Sequence, residues 1–402
     1  MLNKKLLASI FLIVFIDLLG FGLILPLIPF FASSFGASPT IVGFLVASYA
    51  AAQLIGAPLL GRLSDRYGRR PILLVSIAGT IVGFIILGLA NSLALLFLAR
   101  IIDGLTGGNI SVAQAYISDV TDEKNRARGL GLIGAAFGLG FILGPVLGGL
   151  LSQYGFALPA FVAAGIATIN WIMVAFWLPE SLTEERRKEI SQTSKPPFTI
   201  PALIEVLSRP VVGRLLQTRF FFGLAFSTFQ TIFALYALYR FNQNSQNVGF
   251  ILAYVGMLAV LVQGLAIGKL TARFTEPQLI LASTILMAIS LLGWAFAPTI
   301  LALIIILAPI ALAGGILNTV INSSVSKSVS TVEIGGILGI SAALESLTRV
   351  IAPALSGILL ERFGTSAPGV FSAAILFWLS TFIWRHIYKN SNLKVDLPIP
   401  AG

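Results

Sequence analysis

Five charged residues fall inside long apolar stretches of a sequence that is 57% hydrophobic and only 10% charged: Asp17, Arg100, Asp103, Glu345 and Arg349. A charge at the centre of a bilayer costs about 2.5 to 3.5 kcal/mol, so each side chain must pair or face a water-filled cavity. Burial favours the protonated form of a carboxyl group, whereas a nearby arginine or entering water favours the ionised form. Asp17 and Asp103, with Arg100 nearby, could therefore bind and release a proton.

Glu345 and Arg349 are spaced i, i+4, with the acid on the N-terminal side, which is the favourable order for an ion pair on a helix. They are predicted to neutralise each other, either as part of proton coupling or only to fix helix packing. The residues around Arg100 predict one continuous polar, small-residue helix face. This face consists of Arg100, Asp103, Gly104, Gly107, Ser111, Gln114 and Ser118.

The elements that position these residues are predicted to be membrane-spanning helices. A spanning helix needs roughly 20 apolar residues, and apolar stretches of that size follow one another along nearly the whole chain. The chain is therefore predicted to be an all-α integral membrane protein embedded in a lipid bilayer. Twelve spans are predicted to begin near residues 8, 41, 72, 93, 129, 157, 212, 248, 277, 299, 336 and 368.

Residue types argue against a membrane-embedded enzyme. The sequence has no cysteine and one histidine, so it cannot contain a disulfide, a thiol nucleophile or a cysteine metal site, and no metal is expected. It also lacks HExxH and GxSxG motifs. A receptor or scaffold is the other open reading, although such a protein would not need ionisable residues inside its spans.

The distribution of basic residues predicts the topology. An even number of spans places both termini on one side of the membrane. Basic residues near both ends, such as Lys4 and Lys389, predict that this is the cytoplasmic side of a cell membrane. The formal net charge of +10 then reflects topology, and no nucleic-acid partner is expected. All Lys and Arg residues are assigned to the cytoplasmic side except Arg240 and Arg362 in outer loops and Arg100 and Arg349 within spans.

The two halves of the sequence resemble each other. VGFLVASYAAAQLIGAPLLGRLSDRYG from Val42 corresponds to VGFILAYVGMLAVLVQGLAIGKLTARFT from Val248, and GPVLGGLL at Gly144 corresponds to APALSGILL at Ala352. Such a repeat predicts two six-helix bundles in parallel pseudo-repeat, with a substrate site between them that is exposed to each side in turn. The predicted divisions are an N-terminal bundle over 1–178, a cytoplasmic linker over 179–211 and a C-terminal bundle over 212–402.

Four motifs at span ends point to one family: GRLSDRYGRRP from Gly61, LGFGLILPLIP from Leu19, RIIDGLTGG from Arg100 and GLIGAAFGLGFILGPVLGG from Gly131. Together they resemble the major facilitator superfamily, and within it the twelve-span drug:proton antiporters that include tetracycline efflux proteins. The resemblance implies export of a small, amphipathic, drug-like compound in exchange for protons by alternating access. It also implies a monomer energised by the proton gradient, without a cofactor.

The first motif is implied by the resemblance to be a latch between the two halves in the outward-open state. Asp65 would cap the start of span eleven, and an arginine would reach Asp119 at the end of span four. In the second repeat copy, Ala272 replaces Asp65 while the basic residues remain, so topology alone does not explain this acid. The implied latch residues are Gly61, Asp65, Arg66, Gly68, Arg69, Arg70 and Asp119.

The last motif lies on span five. Gly140, Gly144 and Gly148 form a small-residue stripe that allows close helix packing, and Pro145 removes a backbone donor and is predicted to kink the helix. The resemblance links this signature to antiport, whereas the residues alone fit a packing seam equally well. The implied antiporter residues are Gly131, Gly140, Gly144, Pro145, Gly148 and Gly149.

In the family that the chain resembles, spans one, four, seven and ten line the substrate cavity. Aromatic residues at helical spacing on span seven, with amides nearby, suit a planar amphipathic compound, although the same rings could simply pack against other helices or lipid. An uptake symporter, or a sugar or metabolite exporter, remains the competing interpretation. The candidate cavity residues are Gln114, Phe222, Phe226, Phe229, Phe233, Tyr236, Asn318 and Asn322.

Replacing the acid of the first motif tests whether it does more than set topology. We expect Asp65→Asn to leave membrane insertion intact, because the surrounding arginines remain, and to reduce transport, because the helix-capping charge is lost. Quantifying the protein in membranes alongside efflux from cells checks both expectations. Unchanged efflux by the variant would contradict the proposed latch.

Overall fold

The computed structural model describes residues 4–121, 123–183, 200–330 and 333–389. Within these ranges twelve helices are long and apolar enough to cross a membrane, so the predicted all-α membrane fold is confirmed. They are α1 (Leu6–Ser34), α2 (Pro39–Tyr67), α3 (Arg69–Gly88), α4 (Leu93–Val120), α5 (Gly129–Tyr154), α6 (Ala157–Trp177), α7 (Val212–Phe241), α8 (Ser245–Arg273), α9 (Glu276–Ala295), α10 (Ile300–Lys327), α11 (Ile334–Phe363) and α12 (Ala367–Tyr388).

Contacts along the chain divide it into two compact units. Unit 1 comprises Met1–Pro196 with Asn242–Gly256, and unit 2 comprises Pro197–Phe241 with Met257–Gly402. The start of α8 therefore groups with unit 1. The boundaries that the sequence repeat predicts, at 178 and 212, stay a prediction.

The two units pack their helices in the same pattern, as the repeat predicts. In unit 1, α1 packs on α5 and α6, and α3 packs on α4 and α6. In unit 2, α7 packs on α11 and α12, and α9 packs on α10 and α12. The core of unit 1 is formed by side chains such as Ile10, Ile77, Ile117 and Val174, which are buried at the centre of these pairs.

Small residues bring α1 and α5 into close contact. A side chain at Gly140 would meet Leu18, one at Gly144 would meet the backbone of Gly22, and one at Gly148 would meet the carbonyl of Leu23. Backbones that approach this closely gain van der Waals contact along the whole helix pair. The stripe predicted on span five is therefore a helix packing surface within unit 1.

The fourth span is broken at Gly107 and Gly108, between the helical segments Leu93–Thr106 and Asn109–Val120. Side chains of neighbouring helices satisfy the backbone groups that the break releases, as non-helical backbone at membrane depth requires. Gln53 Nε2 donates to the Gly107 carbonyl at 3.0 Å, and the Gly108 N–H donates to Ser76 Oγ at 3.3 Å. Ser76 Oγ in turn donates to the Thr106 carbonyl.

This break makes the prediction of one continuous polar face on span four wrong. The helical period restarts at Asn109, so residues on either side of the break do not share a face. Arg100 and Asp103 are buried, whereas Ser111 and Gln114 are exposed. The sequence contains the cause, because two consecutive glycines weaken a helix.

Both ends of the predicted linker carry structure. After α6 the chain follows unit 1, where Tyr116 Oη donates to the Pro179 carbonyl at 2.8 Å and Leu182 is buried. In unit 2 a short helix, Ile200–Ser208, packs against the start of α7. Residues 184–199 of the predicted linker lie outside the described residues.

An ion pair fixes the chain between this short helix and the start of α11. Arg209 Nη1 lies 2.9 Å from Glu333 Oε1, and Ser330 Oγ donates to Glu333 Oε2 at 3.1 Å. The hydrogen bond from Arg209, followed by that from Ser330, lowers the pKa of Glu333. The stabilisation of the folded protein by this ion pair is therefore present at neutral pH and is lost as the pH falls through the lowered pKa of Glu333.

The α1–α5 contact can be tested by adding one methyl group. At Gly144 a Cβ atom would lie 2.6 Å from the Gly22 carbonyl carbon, so we expect Gly144→Ala to reduce the free energy of unfolding by about 1 to 3 kcal/mol. Thermal unfolding in detergent measures the change. Gly134→Ala on the same helix is the matched control, because a Cβ there meets nothing within 4 Å. Equal stability of the two variants would contradict the close packing.

Candidate functional site

Asp17 of α1 is held by the broken fourth span. Asn109, the first residue of the second segment of α4, donates from Nδ2 to Asp17 Oδ1 at 2.6 Å. Asp17 is partly buried, and the ion pairs within the described residues do not include it. Its carboxyl group therefore depends on an amide rather than on a cation. Asn109 is not among the residues predicted from the sequence, because no sequence pattern relates it to Asp17.

Arg100 and Asp103 form a buried ion pair on the first segment of α4. Arg100 Nη1 lies 2.9 Å from Asp103 Oδ2, and both side chains are at most 5% exposed. The Arg100 guanidinium also stacks over the Tyr49 ring at 4.1 Å. Asp17 is linked to the same broken span through Asn109, which begins its second segment. With both acids ionised this group carries one net negative charge, and one added proton makes it neutral.

A second charged cluster lies in unit 2 and contains a buried arginine, Arg219, that the sequence predicts to be on the cytoplasmic side. Arg219 lies inside α7 and is 4% exposed, so that assignment is wrong. Its guanidinium pairs with Glu345 of α11 and donates to Asn318 Oδ1 of α10 at 2.7 Å. The sequence placed Arg219 near the start of an apolar stretch, where a charge is typical of a loop.

Glu345 therefore has two arginine partners. Arg349 Nη2 donates to Glu345 Oε1 at 2.7 Å, as the i, i+4 spacing predicts, while Arg219 binds the other carboxylate oxygen. The prediction that Glu345 and Arg349 neutralise each other is incomplete, because the three charges sum to one net positive charge. The Arg349 side chain is 59% exposed, in contrast to the buried Arg219.

The residues predicted as a latch meet at Arg69, the first residue of α3. Its guanidinium contacts Asp65 at 2.7 Å, Asp119 at 3.0 Å and Ser64 Oγ at 2.6 Å, and its side chain is 6% exposed. The expected contact between an arginine and Asp119 is thus present within unit 1. The expected role of Asp65 at span eleven stays a prediction.

Other predicted latch residues have distinct positions. Gly68 links α2 and α3 with φ +106°, a conformation that favours glycine. Arg70 donates to the Ala175 carbonyl, whereas Arg66 is exposed and lies over the Tyr67 ring. A Cβ at Gly61 would meet nothing within 4 Å.

Glu180 belongs to this cluster, although the sequence analysis did not select it. Its carboxylate accepts the backbone N–H groups of Arg69 at 2.9 Å and Arg70 at 3.1 Å, which are the first two residues of α3. A carboxylate at this position satisfies unpaired helix donors and interacts favourably with the helix dipole. The only signal in the sequence is an acid directly after Pro179, which does not indicate its partner.

Unit 2 contains the corresponding contact with the charges exchanged. By the offset that pairs Asp65 with Ala272, Glu276 takes the place of Arg69, and Lys327 lies one residue after the position that corresponds to Asp119. Lys327 Nζ lies 2.6 Å from Glu276 Oε1, and Ser323 and Ser324 donate to the same carboxylate. The pseudo-repeat therefore preserves the ion pair but not its polarity. This second pair is more exposed, because 69% of the Lys327 side chain is accessible.

The antiporter residues divide into two groups. Gly140, Gly144 and Gly148 form the seam with α1, whereas a side chain at Gly149 would meet Gln246 at the start of α8. Gly249 of α8 approaches the Pro145 carbonyl, and Ser152 Oγ lies 2.7 Å from Ser245 Oγ; all of these contacts are within unit 1. Gly131 is exposed, and a Cβ there would meet nothing within 4 Å.

Most rings predicted to line a cavity lie within the core of unit 2. Phe229 packs edge-on against Trp294 of α9, and Tyr236 Oη donates to the Trp294 carbonyl at 2.5 Å. Phe233 packs on Phe229, and all three predicted rings are at most 3% exposed. Phe222 and Phe226 stack on each other closer to Arg219. Gln114 and Asn318 are exposed, and Asn322 is partly buried.

No group of three or more His, Asp or Glu residues in the described ranges is arranged to hold a metal ion. The chemistry that the two clusters offer is proton binding, ion pairing and hydrogen bonding. Unit 1 contributes two carboxyl groups with one arginine, and unit 2 contributes one carboxyl group with two arginines.

Double-mutant cycles should separate the two repeat-related ion pairs by their burial. For Arg69→Gln with Asp119→Asn we expect a coupling energy of about 1.5 to 3 kcal/mol, because the bonds are charged and screened from water. For Glu276→Gln with Lys327→Met we expect at most about 1 kcal/mol, as for an exposed pair. Unfolding free energies of the single and double variants provide both values. A larger coupling for the exposed pair would contradict this interpretation.

Comparison with known proteins identifies the family. The sequence matches the Major Facilitator Superfamily over residues 10–274 and 215–395. It is 33% identical over 367 residues to the class H tetracycline resistance protein of Pasteurella multocida, with 88% of each chain covered. It is 30% identical over 353 residues to multidrug resistance protein 2 of Bacillus subtilis (strain 168), with 87% of each chain covered.

Comparison with solved structures shows the same fold. The crystal structure of the human organic anion transporter MFSD10 (TETRAN) superimposes with a TM-score of 0.69 at 22% sequence identity, covering 94% of this chain and 99% of that one. This likeness concerns the arrangement of helices only. Twelve spans, two repeated units and the sequence match lead to one conclusion: the chain is a multi-pass membrane transporter of the Major Facilitator Superfamily.

Proposed function

We propose that this transporter exports a small, amphipathic, drug-like compound in exchange for protons by alternating access. The observation that carries the proposal is the charge of the buried cluster in unit 1. Asp103 is neutralised by Arg100, whereas Asp17 accepts a hydrogen bond from the amide of Asn109 and has no ion-pair partner among the described residues. Proton binding at Asp17 would remove the one uncompensated charge of this cluster.

A cluster that changes between one net negative charge and neutrality can couple proton movement to a conformational change. An uncompensated charge is costly where water is excluded and inexpensive where water enters. The ionised cluster therefore favours a conformation in which water reaches Asp17, and the protonated cluster favours one in which it is sealed. A ligand shifts such an equilibrium only by its differential affinity for the two states.

The energy available from one proton is sufficient for useful export. Moving one charge across 100 mV yields about 2.3 kcal/mol. At 1.4 kcal/mol for each factor of ten, this supports roughly a fifty-fold concentration gradient of a neutral substrate. We propose that the proton gradient is the only energy source and that no cofactor is needed.

The proposed substrate class comes from relatives that are named for tetracycline resistance and multidrug resistance. The cluster in unit 2 is consistent with binding of a polar substrate group, because the charges of Arg219, Arg349 and Glu345 sum to one net positive charge. Asn318 adds an amide beside Arg219. We further propose a monomer in the cell membrane with both termini in the cytoplasm, and no nucleic-acid partner.

Proton-loaded inside-out vesicles test antiport directly. Adding substrate outside an acidified lumen should raise the luminal pH, because substrate enters as protons leave. We expect Asp17→Asn to reduce this response to that of vesicles without the protein, since the variant carboxamide cannot bind or release a proton. Luminal acidification on substrate addition would instead establish symport and contradict the proposal.

A matched control keeps the interpretation specific. Glu205→Gln removes a carboxyl group that lies on the short helix before α7, outside both clusters. We expect this variant to exchange protons for substrate at the rate of the unmodified protein. Substrate binding by detergent-solubilised Asp17→Asn then shows that the variant is folded and that coupling, rather than folding, has been lost.

A further inference from the structure

A small cavity next to Asp17 lies within unit 1, between α1, α3, α4 and α6. Three polar residues line it: Asp17, Asn109 and Asn170. The rest of the lining is apolar, with Leu73 and Ile77 on the α3 side. The cavity volume is about 10 Å³, close to the lower limit for one water molecule when volume is measured with a water-sized sphere.

Asn170 is the unusual member of this group. It lies on α6, it is 0% exposed, and neither its Nδ2 nor its Oδ1 atom has a hydrogen-bond partner among the described residues. Asn109 Oδ1 is also buried without such a partner, although Asn109 Nδ2 is bound to Asp17. Buried polar groups are normally satisfied by protein or by ordered water. Asn170 and Asn109 together hold three such atoms, and both residues line the cavity, which points to a bound molecule.

The arrangement of donors and acceptors indicates which molecule it is. A water molecule can accept one bond from Asn170 Nδ2 and donate two, which matches the oxygen atoms of Asn109 and Asp17. A metal cation such as Na⁺ is a poorer fit, because the site has few oxygen atoms and Asn170 Nδ2 is a donor that repels a cation. An apolar occupant would leave both Asn170 Nδ2 and Asn109 Oδ1 unsatisfied.

We propose that this cavity is a specific binding site for one internal water molecule, held by Asn170 and Asn109 and hydrogen-bonded to the Asp17 carboxyl group. Asn170 is then a positioning residue, since it acts on Asp17 through the bound water. The consequence for transport rests on the proposed function: the water stabilises the ionised carboxylate inside unit 1 and so assists proton release. The existence of the site does not depend on proton coupling.

The stability of Asn170→Leu tests the site, because leucine has nearly the same size and shape but no hydrogen-bonding groups. If water satisfies Asn170, the substitution leaves Asn109 and Asp17 with lost bonds, and we expect the melting temperature to fall by about 2 to 4 °C. If the cavity is dry, the substitution removes two unsatisfied atoms, and the melting temperature rises. A rise would overturn the proposal.

Thr228→Val is the matched control. Thr228 is 0% exposed and its hydroxyl lacks a partner among the protein's own groups, but it lies on α7 and does not line this cavity. We expect its melting temperature to stay constant or to rise, because removal of an unsatisfied hydroxyl is not penalised. A fall equal to that of Asn170→Leu would show that the effect is not specific to the cavity and would overturn the proposal.

The unmodified protein provides a test that needs no variant. A structure at a resolution that reveals ordered water should show one peak within hydrogen-bond distance of Asn170 and Asn109. An empty cavity with well-ordered side chains would overturn the site, as would a melting temperature that rises in NaCl relative to choline chloride at equal ionic strength, which would indicate a cation. Transport is then measured separately: we expect slower proton-coupled exchange by Asn170→Leu with unchanged substrate binding.

Discussion

The structure depends on the high energy of an unpaired charge or polar group in an apolar environment. Hydrocarbon offers no hydrogen bonds, so each backbone and side-chain polar group within a span must find its partner inside the protein. The buried ion pair of Arg100 with Asp103 and the contact of Arg219 with Glu345 follow from this constraint. So does the replacement of helix bonds at Gly107 by Gln53 and Ser76.

This constraint also makes the exceptions informative. Asp17 has an amide neighbour but no ion-pair partner in the described part of the chain, and Asn170 has no protein partner for either of its polar atoms. Both residues line one cavity in unit 1. Buried groups of this kind persist in membrane proteins where they bind ions, protons or water.

The repeat shows which features are tied to the fold and which are specific to one unit. Both units pair their helices in the same pattern. In unit 1 an ion pair joins Arg69 at the start of α3 to Asp119 near the end of α4. In unit 2 an ion pair of opposite polarity joins Glu276 at the start of α9 to Lys327 at the end of α10. The attraction between the two charges is the same with either polarity, whereas the helix dipoles favour the acid at the helix start and the base at the helix end, as in unit 2. Asp65 is replaced by Ala272 in the second repeat copy, so its contact with Arg69 is specific to unit 1.

The sequence by itself determined the twelve spans, the repeat and most charges within the spans, because hydrophobic length and charge position are local properties of the chain. It also predicted the i, i+4 pair of Glu345 with Arg349. Only the tertiary structure decided that Arg219 reaches Glu345 from 126 residues away, that Glu180 caps α3, and that Asn109 contacts Asp17. These partners lie far apart along the chain, and only the packing of the helices brings them together.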